Sequence, residues 1–450
     1  MFNLLYEPWL SVIYHNGVTA KISLIEALDN AHKLQIAYPN PMDRIAVLRF
    51  ILVLCSWCEL NTGEILQESI PPGWLPYLSK QNYLFELFGD ERRFMQKGNL
   101  NRRRPITELF HEIPTGNNAW HFRHSRDYAD GVCCNCVVNG LLRLPLFFVS
   151  GRPNLKSGIN GSPPIYKVFW PKNLLESLKQ NRLPAGDQGS PVWSEQYRYL
   201  STDKVPLLAG MTVPARLLYL NDPVESDSAC AICGDKPGKL VYSCFFETSG
   251  DLENNIWRDP FVIYRDGKAF KASNIISSGR LGSDMRYRGL LEELLISNTL
   301  SQKRSILLVG FATDKAKYVD IWEKTISINP NSINTETMDV LSSWDIAIKN
   351  TMKHSSLNRF KSIKKSLMSD LGPQTEAIFS RQLAHSLMDS GLTWEKLARA
   401  NKLTTRVISR ALIPGISSRA TKERSSIRAS ILKAPKAKTD AEGDADEQQS

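Results

Sequence analysis

The chain has 450 residues, 42% hydrophobic and 23% charged, with a formal net charge of +10. That length suffices for two or three domains with cores of their own, which excludes a small stapled scaffold, and eight cysteines are too few for a disulfide framework. The composition is that of an ordinary soluble globular protein with no membrane partner, and the basic surplus favours a polyanionic one.

The opening "MFNLLYEPWLSVIY" has no basic segment followed by a small-residue cleavage site, so a cytoplasmic location is expected. A strand is predicted over 9–14, a turn at "HNG", and a helix from Ser23, whose hydroxyl can cap it with Glu26 three residues on. A second, apolar helix follows Asp43. Its run "IAVLRFILVLCSWC" (45–58) is about fourteen residues long and contains Arg49, so it reads as a buried helix too short and too charged to span a bilayer. Between 60 and 130, "IPPGW", "KGNLNRRRP" and "PTGNNAW" predict irregular surface connections. An apolar run at 137–150 leads into the loop "GRPNLKSGINGSPP". Short β segments then recur at 165–170, 215–220, 239–246, 261–265 and 306–311, separated by turn signals, the pattern of an α+β domain.

After about residue 335 helical periodicity takes over, through 336–354, 357–370, 374–390, 393–412 and 417–433. The expected architecture is an α+β amino-terminal domain over 1–330, a polar boundary near 329–337, an all-α bundle over 336–433, and a tail over 434–450 read as disordered. The charge is local. Residues 350–433 hold 16 basic against 5 acidic side chains, the tail holds 2 against 5, and residues 1–349 are left at +2.

Cys133 and Cys136 form one C-x-x-C pair, and Cys230 and Cys233 in "CAICGDKPGKLVY" form another. Two such pairs are the donor set of a closed, structural zinc site. The gap between them exceeds the usual local spacing, so the fold must bring them together. Cys134 and Cys244 are alternative ligands, whereas Cys55 and Cys58 in the apolar helix read as core.

The opening "FNLLYEPWLSVIYHNGVTAKISLIEAL" resembles the amino terminus of CasA, the large subunit of the type I-E CRISPR surveillance complex Cascade. "PTGNNAWHFRH" (114–124), the two cysteine pairs, "LKSGINGSPP" (155–164) and "LLAGMTVPARLLYL" (207–220) occur in the family's order. The resemblance implies a structural zinc site on the four cysteines and no catalytic activity. It also implies partnership with crRNA-containing Cascade subunits, recognition of a protospacer-adjacent motif on double-stranded target DNA, strand opening, and a surface for a helicase-nuclease. Sequence reading would be delegated to guide pairing.

The family contacts the motif through a glycine-rich loop, a lysine finger and a glutamine-tipped wedge. Here the loop position reads "SGRPNLKSG", where Arg152 can enter the groove or bind phosphate. The finger position, "FFETSGDLENN" (245–255), has no lysine. The wedge position, "ATDKAK", places Asp314 or Lys315 at the tip. The expected DNA-binding set is therefore Arg152, Asn154, Lys156, Ser157, Gly158, Asn160, Asp314 and Lys315, with the basic bundle adding phosphate contacts.

Two other readings compete. "GLTWEKLARANKLTTRVISRALIPG" (391–415) has the rhythm of a helix-turn-helix, with its turn at "NKL" and Arg406 and Arg410 on the second helix, as in a transcription regulator. His121 and His124, with Asp127 and Asp130 nearby, suggest a metal-dependent nuclease, although no second carboxylate cluster completes a two-metal site. "NRRRP" (101–105) is either a phosphate clamp or a solvated turn.

Overall fold

A computed structural model of the chain describes residues 2–113, 125–148, 158–161, 163–184, 186, 188–195, 205–248, 257–265, 267–272, 304–314, 317–329, 336–337, 339–340, 343, 381–382, 385–386, 388–389, 391 and 393–411. The chain divides into two compact units, Met1–Ser273 with Ile306–Thr325, and Asn274–Ser305 with Ile326–Ser450.

The first unit mixes helices with small antiparallel sheets. In chain order its elements are β1 (Leu10–Tyr14), β2 (Thr19–Ile22), α1 (Leu24–Asp29), β3 (Leu34–Ile36), α2 (Pro41–Thr62), α3 (Trp74–Lys80), β4 (Arg103–Pro105) and α4 (Cys134–Arg143). There follow β5 (Tyr166–Phe169), α5 (Leu174–Gln180), α6 (Val192–Glu195), α7 (Leu207–Thr212), β6 (Arg216–Leu220), β7 (Val224–Glu225), β8 (Lys239–Leu240), β9 (Ser243–Thr248), β10 (Tyr264–Arg265), β11 (Lys268–Ala269), β12 (Arg304–Asp314) and β13 (Lys317–Ile328). The last two strands run past the unit's bounds by a few residues. Three sheets have three strands each, ordered β2-β1-β3, β4-β9-β6 and β13-β12-β5.

Local sequence explains the element ends. Ser23 caps α1, its hydroxyl accepting the Glu26 N–H at 3.2 Å. Helix α2 starts after Asn40, whose side chain accepts the Met42 N–H, with Pro41 in its first turn, and stops at Gly63, where φ is +73°.

Helix α2 is longer than its apolar run implies: with its capping turns it reaches 22 residues, enough by length and composition to cross a membrane. Its surroundings decide otherwise, since 78% of its most apolar window is buried inside the protein. It is hydrophobic all round because it is enclosed all round. Phe50 meets Phe94 and Trp193 edge-on at 5.6 and 5.3 Å, and Trp57 packs on Tyr77 at 5.2 Å.

Two buried arginines are tied to this helix. Arg143, at the end of α4, meets Asp43 at 2.6 Å and Glu112 at 2.8 Å. Arg49, inside α2, meets Asp259 at 2.6 Å and donates through Nε to the Met211 carbonyl. Arg49 therefore marks a paired internal charge rather than a wet face.

The 60–130 segment carries more structure than its turn signals suggest, including α3, β4 and short 3-10 turns. The predicted strand over 239–246 is split at Val241–Tyr242 into β8 and β9, which join different sheets.

In the second unit, the helix Trp394–Ala411 follows Thr393, whose hydroxyl accepts the Lys396 N–H. Leu397 and Ala400 are buried on it. The helix-turn-helix expectation is corrected here: Asn401, Lys402 and Leu403, assigned to the turn, lie inside one continuous 18-residue helix. The stretch contains no glycine or proline to break the hydrogen-bond ladder, so propensity carries the helix through it.

Candidate metal centre and nucleic-acid interface

The first cysteine pair sits where β-like chain turns into α4. Cys133 is the extended residue preceding the helix and Cys136 lies in its first turn, so the positive end of the helix dipole faces both sulfurs. The second pair sits on a tight turn after β7. The Gly234 N–H returns to the Cys230 carbonyl at 2.9 Å, with φ +79° at Gly234, and the Cys230 N–H reaches the Asp235 carbonyl at 2.8 Å.

Backbone bonds stitch the two together across nearly a hundred residues. Val132 and Val241 exchange N–H···O bonds at 2.8 and 2.9 Å, and the Ala231 N–H donates to the Gly131 carbonyl. Gly131 allows this approach, because a Cβ there would stand 2.8 Å from the Leu240 Cβ.

The four Sγ atoms of Cys133, Cys136, Cys230 and Cys233 lie within 4.8 Å of one another. The Cys133–Cys233 sulfur separation is 3.7 Å, close to the edge of about 3.8 Å that a tetrahedron with metal–sulfur bonds of about 2.3 Å requires. Backbone N–H groups of Cys133 and Ile232 point at the Cys230 sulfur at 3.3 and 3.5 Å. These four residues fit a metal ion. Cys134 and Cys244, the alternative ligands, are outside the cluster, and Cys55 and Cys58 are buried in α2 as expected.

Hydrogen bonds among the four sulfurs set their protonation. Hydrogen bonding to Cys133 and Cys230 pushes the Cys136 thiol far up, while accepting from Cys133 and Cys136 holds the Cys230 thiol far down. With protons alone the cluster shares them among close sulfurs, and a cation can take their place. Lys21 meets Asp235 at 2.5 Å on the outer side, its pKa raised by that hydrogen bond first and then by the Asp235 charge.

Of the predicted DNA-binding set, Arg152, Asn154, Lys156, Ser157 and Lys315 lie outside the described residues. Gly158 is buried at the loop's carboxyl end, pairs with Gly161, and faces the Ala215 methyl, which an added Cβ would approach to 3.3 Å. Asn160 is half-buried and donates its amide to Asp259 at 3.0 Å and to the Tyr166 hydroxyl at 3.1 Å. Tyr166 in turn donates to the Leu146 carbonyl, and Asp259 holds Arg49. The 158–161 end is thus bolted to the core, and Asn160 spends its donors inside the protein.

Asp314 ends β12, and β13 begins at Lys317 beside it in the sheet, a connection so short that only an antiparallel hairpin allows it. β13 has no counterpart among the strands expected from the sequence. His121 and His124 also lie outside the described residues. Asp130 is engaged by Arg126 at 2.8 Å, which removes it from a ready metal-binding role. Asp259, which gathers Arg49, Asn160 and the Phe261 N–H, carried no sequence signal for its buried ion pair, because Arg49 and Asn160 are 210 and 99 residues away.

The model of the CRISPR-associated protein Cse1 family matches residues 3–354. The chain belongs to that family. Its fold is that of CasA: a crystal structure of CasA from Thermus thermophilus superposes with a TM-score of 0.67 at 17% identity, covering 96% of this chain and 99% of that one. Thermobifida fusca Cse1 gives 0.67 at 15% identity, covering 96% and 98%. A chain of a CRISPR RNA-guided surveillance complex gives 0.69 at 14% identity, covering 96% and 99%. No curated protein sequence matches the chain. At such identities the superpositions establish the fold alone.

Proposed function

We propose that this Cse1-family chain is the non-catalytic large subunit of a type I-E-like RNA-guided surveillance complex in the cytoplasm. Its task in that complex is to recognise a protospacer-adjacent motif on double-stranded target DNA and promote opening of the strands for guide pairing. The observation that carries this reading is the family match over residues 3–354, joined to the whole-length likeness to a chain of a CRISPR RNA-guided surveillance complex. The partners are crRNA-containing subunits and, at the effector stage, a helicase-nuclease.

The four-cysteine cluster holds zinc in a structural role. Its four ligands leave no position open to substrate, and its contribution is to lock the 133–136 helix start to the 230–233 turn. Loop residues Arg152, Asn154, Lys156 and Ser157 approach the DNA. Gly158 and Asn160 belong to the same site as its anchor, through Asp259 and Tyr166. Asp314 and Lys315, at the turn from β12 to β13, form the second approach. The basic residues of 336–433, arranged as a helical bundle, add phosphate contacts, and 434–450 is an acidic, disordered tail.

The experiment is gentle purification of the tagged protein from its native host, followed by RNA sequencing and identification of the co-purifying proteins. A discrete RNA with repeat-derived ends is the expected result, and its absence refutes the assembly reading. For the site, joint replacement of Arg152, Lys156 and Lys315 by alanine should abolish motif-dependent duplex binding by the assembled complex. Unchanged binding would move the motif-reading surface elsewhere.

A further inference from the structure

The four-cysteine cluster is unevenly covered. Cys133, Cys136 and Cys230 are buried, at 3%, 7% and 3% exposure, whereas Cys233 is exposed. The backbone serves the buried side, where the Cys133 and Ile232 N–H groups point at the Cys230 sulfur. Four thiolates around a divalent ion carry a net negative charge, so retention of the ion depends on what stands at the open corner.

Asp235 stands there, two positions after Cys233. Its carboxyl is held below its ordinary pKa by a hydrogen bond from Lys21 first and by one from the Cys233 thiol second. The second bond belongs to the thiol alone. A metal-bound thiolate has no proton to donate, so in the loaded cluster the Cys233 sulfur and the Asp235 carboxylate face each other as two anions. Lys21 is the partner that Asp235 keeps.

Strand register brings Lys21 to this corner. In the pairing of β1 with β2, Leu10 stands opposite Ile22 and Ser11 opposite Lys21. Ile22 is buried, and the alternation of a strand turns Lys21 to the other face. There its ammonium meets the Asp235 carboxylate at 2.5 Å, across 214 positions of sequence. Lys239, the cation on β8, is engaged instead by Glu225 at 3.1 Å on β7.

We infer that Lys21 is a positioning residue of the four-cysteine zinc site: its ammonium offsets the Asp235 carboxylate beside Cys233 and slows loss of the ion through that corner. The inference rests on the reading of the four cysteines as a zinc site and adds a residue, from a different sheet, that governs how firmly the ion is kept. The two side chains are 43% and 55% exposed, so solvent limits the effect to about threefold in the rate of release.

The test is transfer of zinc from the purified full chain to an excess of a colorimetric chelator. Stoichiometric zinc in the native chain is expected, and its absence refutes the zinc reading itself together with this inference. Lys21→Met, which keeps the alkyl stem, should release zinc about threefold faster, and Lys21→Arg should release it at the native rate. Asp235→Asn alone should not accelerate release, and Lys21→Met combined with Asp235→Asn should return to about the native rate. In about 1 M salt the difference between Lys21→Met and the native chain should shrink. Release from Lys21→Met at the native rate overturns the inference. So does equal acceleration by Lys21→Met, Asp235→Asn and the double variant, which is the result of a purely mechanical link between strand and turn.

Discussion

Replacing Asp259 by alanine tests the internal anchoring of the 158–161 segment most directly. The Asp259 side chain is fully buried, and its carboxylate meets Arg49 at 2.6 Å, the Asn160 amide at 3.0 Å and the Phe261 N–H at 3.0 Å. Removing it leaves the Arg49 guanidinium, itself 3% exposed, with an uncompensated charge in the core. Breaking one side of such a buried pair costs about 3–5 kcal/mol. The assay is urea unfolding of the full chain, followed by tryptophan fluorescence. The cost should largely disappear in the double variant Arg49→Met, Asp259→Leu, because two apolar side chains replace a charge pair without leaving a stranded charge. A loss below about 1 kcal/mol for Asp259→Ala, or a double variant as unstable as the single, would refute the assignment of this pair as a buried anchor.

Three other perturbations have defined outcomes. Cys230→Ser should abolish stoichiometric zinc in a colorimetric metal assay of the purified chain, and chelation of the native protein should destabilise it by several kcal/mol, about what closing a loop of this length contributes in a covalent cross-link. His111, enclosed between Phe148 and Phe311 at 4.6 and 4.9 Å, has its pKa lowered to about 4 by burial. Its neutral form is the folded one, so its contribution is complete above the unfolded value near 6.5 and is lost as pH falls toward 4, by about 3 kcal/mol. His111→Phe should flatten that part of the stability profile, between about pH 6.5 and 4. Ser23→Ala should cost about 1 kcal/mol in urea unfolding through loss of the α1 cap.

What the sequence disclosed was mostly local. The Ser23 cap, the strands at 10–14, 166–169 and 216–220, and the pairing of cysteines within each C-x-x-C were legible because each depends on neighbours within a few positions. The ordered motifs from Phe2 to Cys233 made the family legible as well, since a series constrains more than any member of it. Strand β13 was missed because its apolar residues Ile321, Ile326 and Ile328 are interrupted by Asp320, Glu323 and Lys324, charges that suit the edge it forms among the described residues. The roles of Asn160 and Gly158 were illegible for another reason. A polar residue in a glycine-rich loop reads as a surface contact until the distant carboxylate that claims its amide is known. The helix-turn-helix rhythm failed because periodicity alone does not place a break where no residue enforces one.

The four-cysteine cluster also sets a timetable for the nascent chain. Cys133 and Cys136 leave the ribosome well before Cys230 and Cys233, which stand about a hundred residues behind. At synthesis rates of about 5–20 residues per second the first pair waits roughly 5–20 s for its partners. During that interval Cys133 and Cys136 stand at the start of α4 without the sulfurs they meet in the folded chain. The window for wrong chemistry, oxidation or capture of a foreign ion, is therefore built into the order of the sequence, and it closes only when the turn at 230–234 arrives.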